Sequence, residues 1–258
     1  MQRIVEELLA GVGGLGASAL ARRAGVNRST LHRIETGKVE PTLATLRELA
    51  IACGLDLTMS LTTLSDPDAA AAARQLLDAA SSDLDPTEGM REWIARLERT
   101  SDDGDPVSMV AEAGYASTLL ARVGTALFRG DSSALRLASV GDATAGRWAI
   151  SGAAAMALTH DVRGPSILWA DDVGRAGGIL QSTHDRVTAA PNAQVIVAPL
   201  TDAVYVDAFT VGAVRYVAPV QMILDCIGLG GAVADAALGI AKGWSRSALV
   251  GEGLGRVP

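Results

Sequence analysis

GVNRSTLHRIETGKVEPTLATL, residues 25–46, sets two apolar side chains, Leu31 and Ile34, at helical spacing between Gly25 and the Gly37-Lys38 pair, with Pro41 following. Upstream, Ala21 stands four residues before Gly25, and Leu20, Ala24 and Val26 are apolar. A small residue that lets two helices approach, a glycine that turns the chain and an apolar set that packs the pair are the ingredients of a helix-turn-helix. Asn27 or Ser29 can cap the start of its second helix. Pro41 is expected to open a further helix, with Leu43, Leu46, Leu49, Ala50 and Cys53 in one stripe. Gly54 is expected to end it.

Just before this stretch, ELLAGVGGLGASAL (7–20) carries Gly11, Gly13 and Gly16 at the spacing of a dinucleotide-binding loop. That reading needs a strand ahead of the loop and an acidic residue closing a second strand. Ile4, Val5, Leu8 and Leu9 instead follow a helical period, and Glu35 falls inside the third helical segment. The glycines therefore connect two helices, and no cofactor is expected.

With these residues in view, residues 1–58 resemble the XRE-type (phage Cro/repressor-like) helix-turn-helix family. The placements of Gly25, Leu31, Ile34-Glu35, Gly37-Lys38 and Pro41 carry the resemblance. It implies a five-helix domain that binds double-stranded DNA as a homodimer at an inverted repeat. Carried over by position, Arg28, Ser29, His32 and Arg33 would read bases, and Arg22, Arg23, Asn27, Thr30 and Lys38 would meet phosphate. Arginine matches the two acceptors of guanine, whereas a phosphate contact and a solvated surface charge look alike in sequence. Two positions depart from the family. Ala17 replaces a frequent Gln, and Ala10 stands where an arginine partner for Glu35 is often found, leaving Arg3 as the substitute.

The net charge of −7 hides a division that suits this reading. Residues 16–47 hold six basic side chains against Glu35 and Glu40, whereas residues 60–105 hold eleven Asp/Glu against four Arg. A basic head joined to a body that avoids DNA is the implied arrangement. No apolar run reaches the length of a membrane span, and the N-terminus lacks a signal-peptide layout, so a cytoplasmic protein with no membrane partner is expected. Cys53 and Cys226 read as buried thiols, and His32, His160 and His184 have no metal-ligand spacing.

Residues 63–105 read as an acidic helical linker, broken at Asp66-Pro67, Asp85-Pro86 and SDDGDP, with Trp93, Ile94 and Leu97 on one apolar face. Residues 106–258 read as an α+β domain with a small sheet covered by helices, so the chain as a whole is α+β. Within it, SMVAEAGYASTLLARVGTALF reads as helices with Tyr115, Leu119, Leu120, Val123 and Leu127 facing inward. RWAISGAAAMALTH reads as a helix starting at Ser151. SILWAD (166–171), AQVIVAPL (193–200), AVYVDAF (203–209) and AVRYVAP (213–219) read as strands, and two helices follow from Pro219.

From Arg147 to about Leu238 this body resembles the AbiEi-like antitoxin family of type IV toxin–antitoxin systems. RWAISGAAAMAL, SILWADD, VIVAPL and VRYVAPVQMILDCIGLGGAVADAAL carry the resemblance, above all Val217-Ala218-Pro219-Val220-Gln221-Met222-Ile223-Leu224-Asp225. It implies an autoregulating antitoxin whose partner gene encodes a nucleotidyltransferase-like toxin. That family more often carries a winged helix at its front; here residues 106–146 would be its winged-helix-like remnant.

No catalytic set emerges. Asp171 and Asp172 are adjacent, so on a strand they point to opposite faces. Thr159-His160-Asp161 lacks a nucleophile motif. Asp185 and Asp225 read as caps or surface groups, and Gln221 and Asp225, one helical turn apart, share a face. The expectation is a regulator without catalytic or metal residues. Its alternative is a stand-alone regulator whose C-terminal domain senses a small ligand or a partner.

Overall fold

In the computed structural model, residues 16–78, 85–101 and 104–244 are described. The chain divides into two compact units, residues 1–62 and 63–258. The first helix expected near residues 4–9, the Gly11 and Gly13 positions and Arg3 lie outside the described residues.

In the first unit, α1 (Ala17–Arg23), α2 (Arg28–Glu35) and α3 (Leu43–Ala52) enclose a core of Leu20, Ala21, Ala24, Leu31, Ile34, Leu46, Leu49 and Ala50. The chain turns after α1 at Gly25 and after α2 at Gly37, both at φ +67°, where an L side chain would be strained. Thr42, not Pro41, begins α3: its hydroxyl accepts from the amide of Thr45, and Pro41 is buried just ahead of the cap. Among the described residues, 55–62 carry no helix after α3. There LDLTMSLT alternates apolar with polar or β-branched residues, a pattern without a helical face.

The second unit begins with α4 (Pro67–Leu77), α5 (Glu88–Thr100) and α6 (Pro106–Ala116). Asp66, Thr87 and Asp105 cap their first turns through the amides of Asp68, Met90 and Ser108. The stretch expected to be a linker is in fact core. Ala69, Ala70, Ala72, Ala73 and Leu77 of α4 and Leu97 of α5 pack with Met109, Val110 and Ala113 of α6. A run of alanines presents an apolar surface on every side, so α4 can be enclosed by its neighbours.

A seven-stranded mixed sheet follows, in the order β4-β1-β5-β3-β2-β7-β6. Its strands are β1 (Ala126–Arg129), β2 (Trp148–Gly152), β3 (Ser166–Ala170), β4 (Asp185–Val187), β5 (Val195–Pro199), β6 (Phe209–Val211) and β7 (Val214–Tyr216). β3 runs parallel to β5 and antiparallel to β2. The period of two divides each strand between two cores. Ile150, Leu168, Val195 and Val197 face α7 (Ala134–Thr144) and α9 (Val173–Leu180). Ala149, Ile167, Trp169, Ile196 and Ala198 line the other face with Leu119, Val204 and Val217. Two terminal helices, α11 (Pro219–Leu229) and α12 (Gly231–Ala241), join α4 and α6 in the helical layer.

Several expectations change here. The sheet is larger than foreseen. Residues 106–146 do not form a separate winged helix, because Leu127 and Phe128 are buried in β1, which pairs with both β4 and β5. Tyr115 and Val123 face solvent, not the core. The segment read as a helix from Ser151 is strand β2 through Gly152, followed by the four-residue α8 (Ala153–Met156). Gly152, at φ +72°, makes that change of direction. AVYVDAF is split between α10 (Asp202–Tyr205), capped by Thr201, and β6.

The helical layer closes tightly at one crossing. A Cβ on Gly114 of α6 would fall 2.7 Å from Ile227 Cβ, and one on Gly228 of α11 would fall 2.9 Å from the Gly114 carbonyl oxygen. Both positions are filled by neighbouring atoms, which is why glycine stands there.

Candidate nucleic-acid interface

Burial along α2 separates two faces of one short helix. Leu31 and Ile34 are 1% and 3% exposed, whereas Arg28, Ser29, His32 and Arg33 are exposed and Thr30 is half-buried. This follows from the 3.6-residue period, which turns positions 28, 29, 32 and 33 away from the side that holds 31 and 34. Asn27 sits at the N-cap without a side-chain capping bond. Arg22 and Arg23 are exposed in the last turn of α1, and Lys38 is exposed just past Gly37.

Electrostatically the surface is basic, with Glu35 as the acid on α2 itself. Glu35 lies 3.7 Å from His32 Nδ1 on the same helix. Thr36 donates its hydroxyl to the His32 carbonyl and closes the helix. Ala17 opens α1.

Residues 6–60 match the family model described as a helix-turn-helix domain. The head is thus the helix-turn-helix of a DNA-binding regulator, and α1 and α2 are its two helices. No curated protein and no solved structure matches the chain, so the antitoxin resemblance of the body has no support beyond its own residues.

In the body, the positions weighed for chemistry are engaged in structure. Arg147 grips Asp171 with its own amide (2.9 Å), Nε (3.2 Å) and Nη2 (3.2 Å), and reaches Asp202 with Nη1 (2.8 Å). These bonds hold the Asp171 carboxyl below its usual range and push the Arg147 guanidinium up. Asp172 caps α9 by accepting from the Arg175 amide at 2.8 Å. Thr159 bonds His160 Nδ1 at 2.8 Å, and Asp185 pairs with Arg129 on the sheet edge. Among the described residues no three His, Cys, Asp or Glu side chains are grouped to hold a metal ion, and no helix is long and apolar enough to cross a membrane.

Asp225 is the main surprise. It is neither a cap nor a surface group but is buried on α11, accepting from Trp169 Nε1 (2.9 Å) and Gln221 Nε2 (2.8 Å). Burial pushes its carboxyl above the usual range, while these bonds and the positive charge of Arg122 pull it back. The next residue, Cys226, is fully buried, and desolvation pushes its thiol well up. The i, i+4 spacing of Gln221 and Asp225 was the available sequence signal. Its meaning depends on Trp169, more than fifty residues upstream.

Proposed function

We propose that this chain is a sequence-specific transcriptional regulator that binds an inverted repeat as a homodimer. The observation that carries the reading is the two-sided burial of α2, which leaves a row of hydrogen-bonding side chains exposed beside the packed Leu31 and Ile34. In this reading Arg28, Ser29, His32 and Arg33 read base edges in the major groove. Arg22, Arg23, Asn27, Thr30 and Lys38 hold phosphates and set the register. Paired heads would sit on half-sites about one helical turn apart.

The finer reading is an autoregulating antitoxin that represses its own operon, with a nucleotidyltransferase-like toxin as functional partner. Its support is the Val217–Asp225 segment, which forms the turn into α11 and supplies Gln221 and Asp225 to the interior. The body acts without catalysis in this reading, consistent with the engagement of Asp171 by Arg147 and of Asp172 by its own helix. A stand-alone regulator with a ligand-sensing body is the alternative reading. The cavity beside Arg122, Gln221 and Asp225 has room for about one water molecule.

The test is DNA from the chain's own upstream region, titrated with full-length protein across salt. Tight, sequence-dependent binding lost on Arg28→Ala or Arg33→Ala supports the reading, and binding indifferent to sequence overturns it. For the antitoxin reading, co-expression with an adjacent nucleotidyltransferase gene should restore growth; failure to do so leaves a stand-alone regulator.

A further inference from the structure

Asp225 lies inside the body with neutral donors on its carboxylate, the indole of Trp169 and the amide of Gln221. Ser151 Oγ is close enough to act on it, though without hydrogen-bond geometry. Arg122, on the connection between α6 and β1, is the cation that acts on it. The two side chains make no direct ion pair, and both line the cavity with room for about one water molecule. A gap of that size between a buried acid and a half-buried base is a place for a bridging water.

Arg122 also reaches in the opposite direction. Its Nη2 donates to the Ser117 carbonyl at 2.6 Å, its Nε reaches Ser65 Oγ at 3.4 Å, and its guanidinium lies 5.8 Å from the centre of the Trp169 ring. Ser65 in turn donates to the Thr118 carbonyl, and the Asp66 amide donates to the Ala116 carbonyl at 2.8 Å. Residues 65–66 thus hold the start of the second unit, which begins at Thr63, to the end of α6.

The other charged groups near this site have partners of their own, and Asp66 also acts on Arg122. Asp66 accepts from Trp93 Nε1. Arg74 of α4 pairs with Asp78 and donates to the carbonyls of Ala203 and Val206, and Glu112 of α6 pairs with Arg96. β2 and β3 carry no charged residue, and Asp235 of α12 is exposed.

We propose that a water-bridged Arg122–Asp225 charge pair fastens residues 65–66 to the interior of the body, and that neutralising Asp225 loosens this fastening without weakening the fold. While Asp225 is charged, its attraction offsets the desolvation of Arg122. Once it is neutral, Arg122 is held by less and moves toward water, releasing Ser65 and Ser117. The interior is meanwhile relieved of a buried charge. Local and global stability therefore move in opposite directions, a signature that ordinary damage to a core does not produce. The fastening is independent of any reading of DNA.

Hydrogen exchange on the full chain tests it, with Asp225→Asn and Arg122→Gln. Both substitutions should speed exchange of the Asp66 amide about fivefold to tenfold, by local opening. Amides of β3 and β5 should exchange at the wild-type rate or slower in the Asn variant. The double variant should be no faster at Asp66 than either single one. In the wild type, acidification should produce the same loss at Asp66 once intrinsic exchange is corrected, and the Asn variant should not respond. Acceleration spread evenly over the sheet, an unchanged Asp66 amide, or failure of the Asn variant to fold would each overturn the proposal.

Discussion

Trp169 Nε1 and Asp225 Oδ2 meet at 2.9 Å, joining the central strand β3 to helix α11 inside the body. The indole is 1% exposed, so the bond lies within the packed interior. Trp169→Phe keeps most of the ring's packing and removes the donor. The variant should lose about 2–4 kcal/mol in urea unfolding, from an orphaned buried acceptor and a small cavity. Combining it with Asp225→Asn should cost less than the sum, because the two groups are coupled. Strict additivity would show that the bond contributes nothing specific.

Gly114 and Gly228 make the second prediction. A methyl group at position 114 would lie 2.7 Å from Ile227 Cβ and 3.0 Å from the Leu224 carbonyl oxygen. Helices α6 and α11 must separate to admit it, so Gly114→Ala should destabilise the body by about 1–3 kcal/mol. Gly178→Ala, at a helical position with open space around it, is the control and should be neutral or slightly stabilising. Equal midpoints for the two variants would remove the close crossing from the account.

The head makes a graded prediction. Arg28→Ala or Arg33→Ala should weaken operator binding by about 1–3 kcal/mol and relax preference at one base pair. Lys38→Ala should weaken all DNA alike and reduce the salt slope by about one. Competition binding against single-base operator variants separates the two behaviours. The same sequence-independent loss in all three would assign the arginines to phosphate.

The buried carboxyl sets a pH dependence whose sign is fixed. Because burial raises Asp225 in the folded chain, the folded state binds more protons than the unfolded one between the two pKa values. Stability is greater below the ordinary carboxylate pKa and is lost as pH rises through the folded value. Asp225→Asn should remove this component and flatten the curve of unfolding free energy against pH. A wild-type curve that rises across the same window, with the Asn variant matching it, would mean that other carboxylates decide the slope.

How much of this was legible depended on how local the signal was. In the head, Leu31 and Ile34 repeat at helical spacing, and Gly25 and Gly37 mark turns that need a positive φ. A few neighbouring residues decide each element there. In the body, ISGAAAM and TDAVYVD offer small or mixed side chains without a clear period, so strand β2 and helix α10 were exchanged for their opposites. Their identity comes from partners far along the chain: Ile150 lies opposite Leu168 in β3 and Tyr216 in β7. The role of Asp225 was hidden for the same reason. Its helix could be read from Pro219 onward, but its burial is decided by the strand that carries Trp169.

Cys226 gives the body a built-in reporter. Its sulfur is shut away beside Asp225, and its raised thiol pKa keeps it in the unreactive protonated form. An alkylating reagent can reach it only when the packing around α11 opens. The rate of its labelling, with half-buried Cys53 marking the helix-turn-helix head separately, would therefore report how often the body opens, without any engineered cysteine.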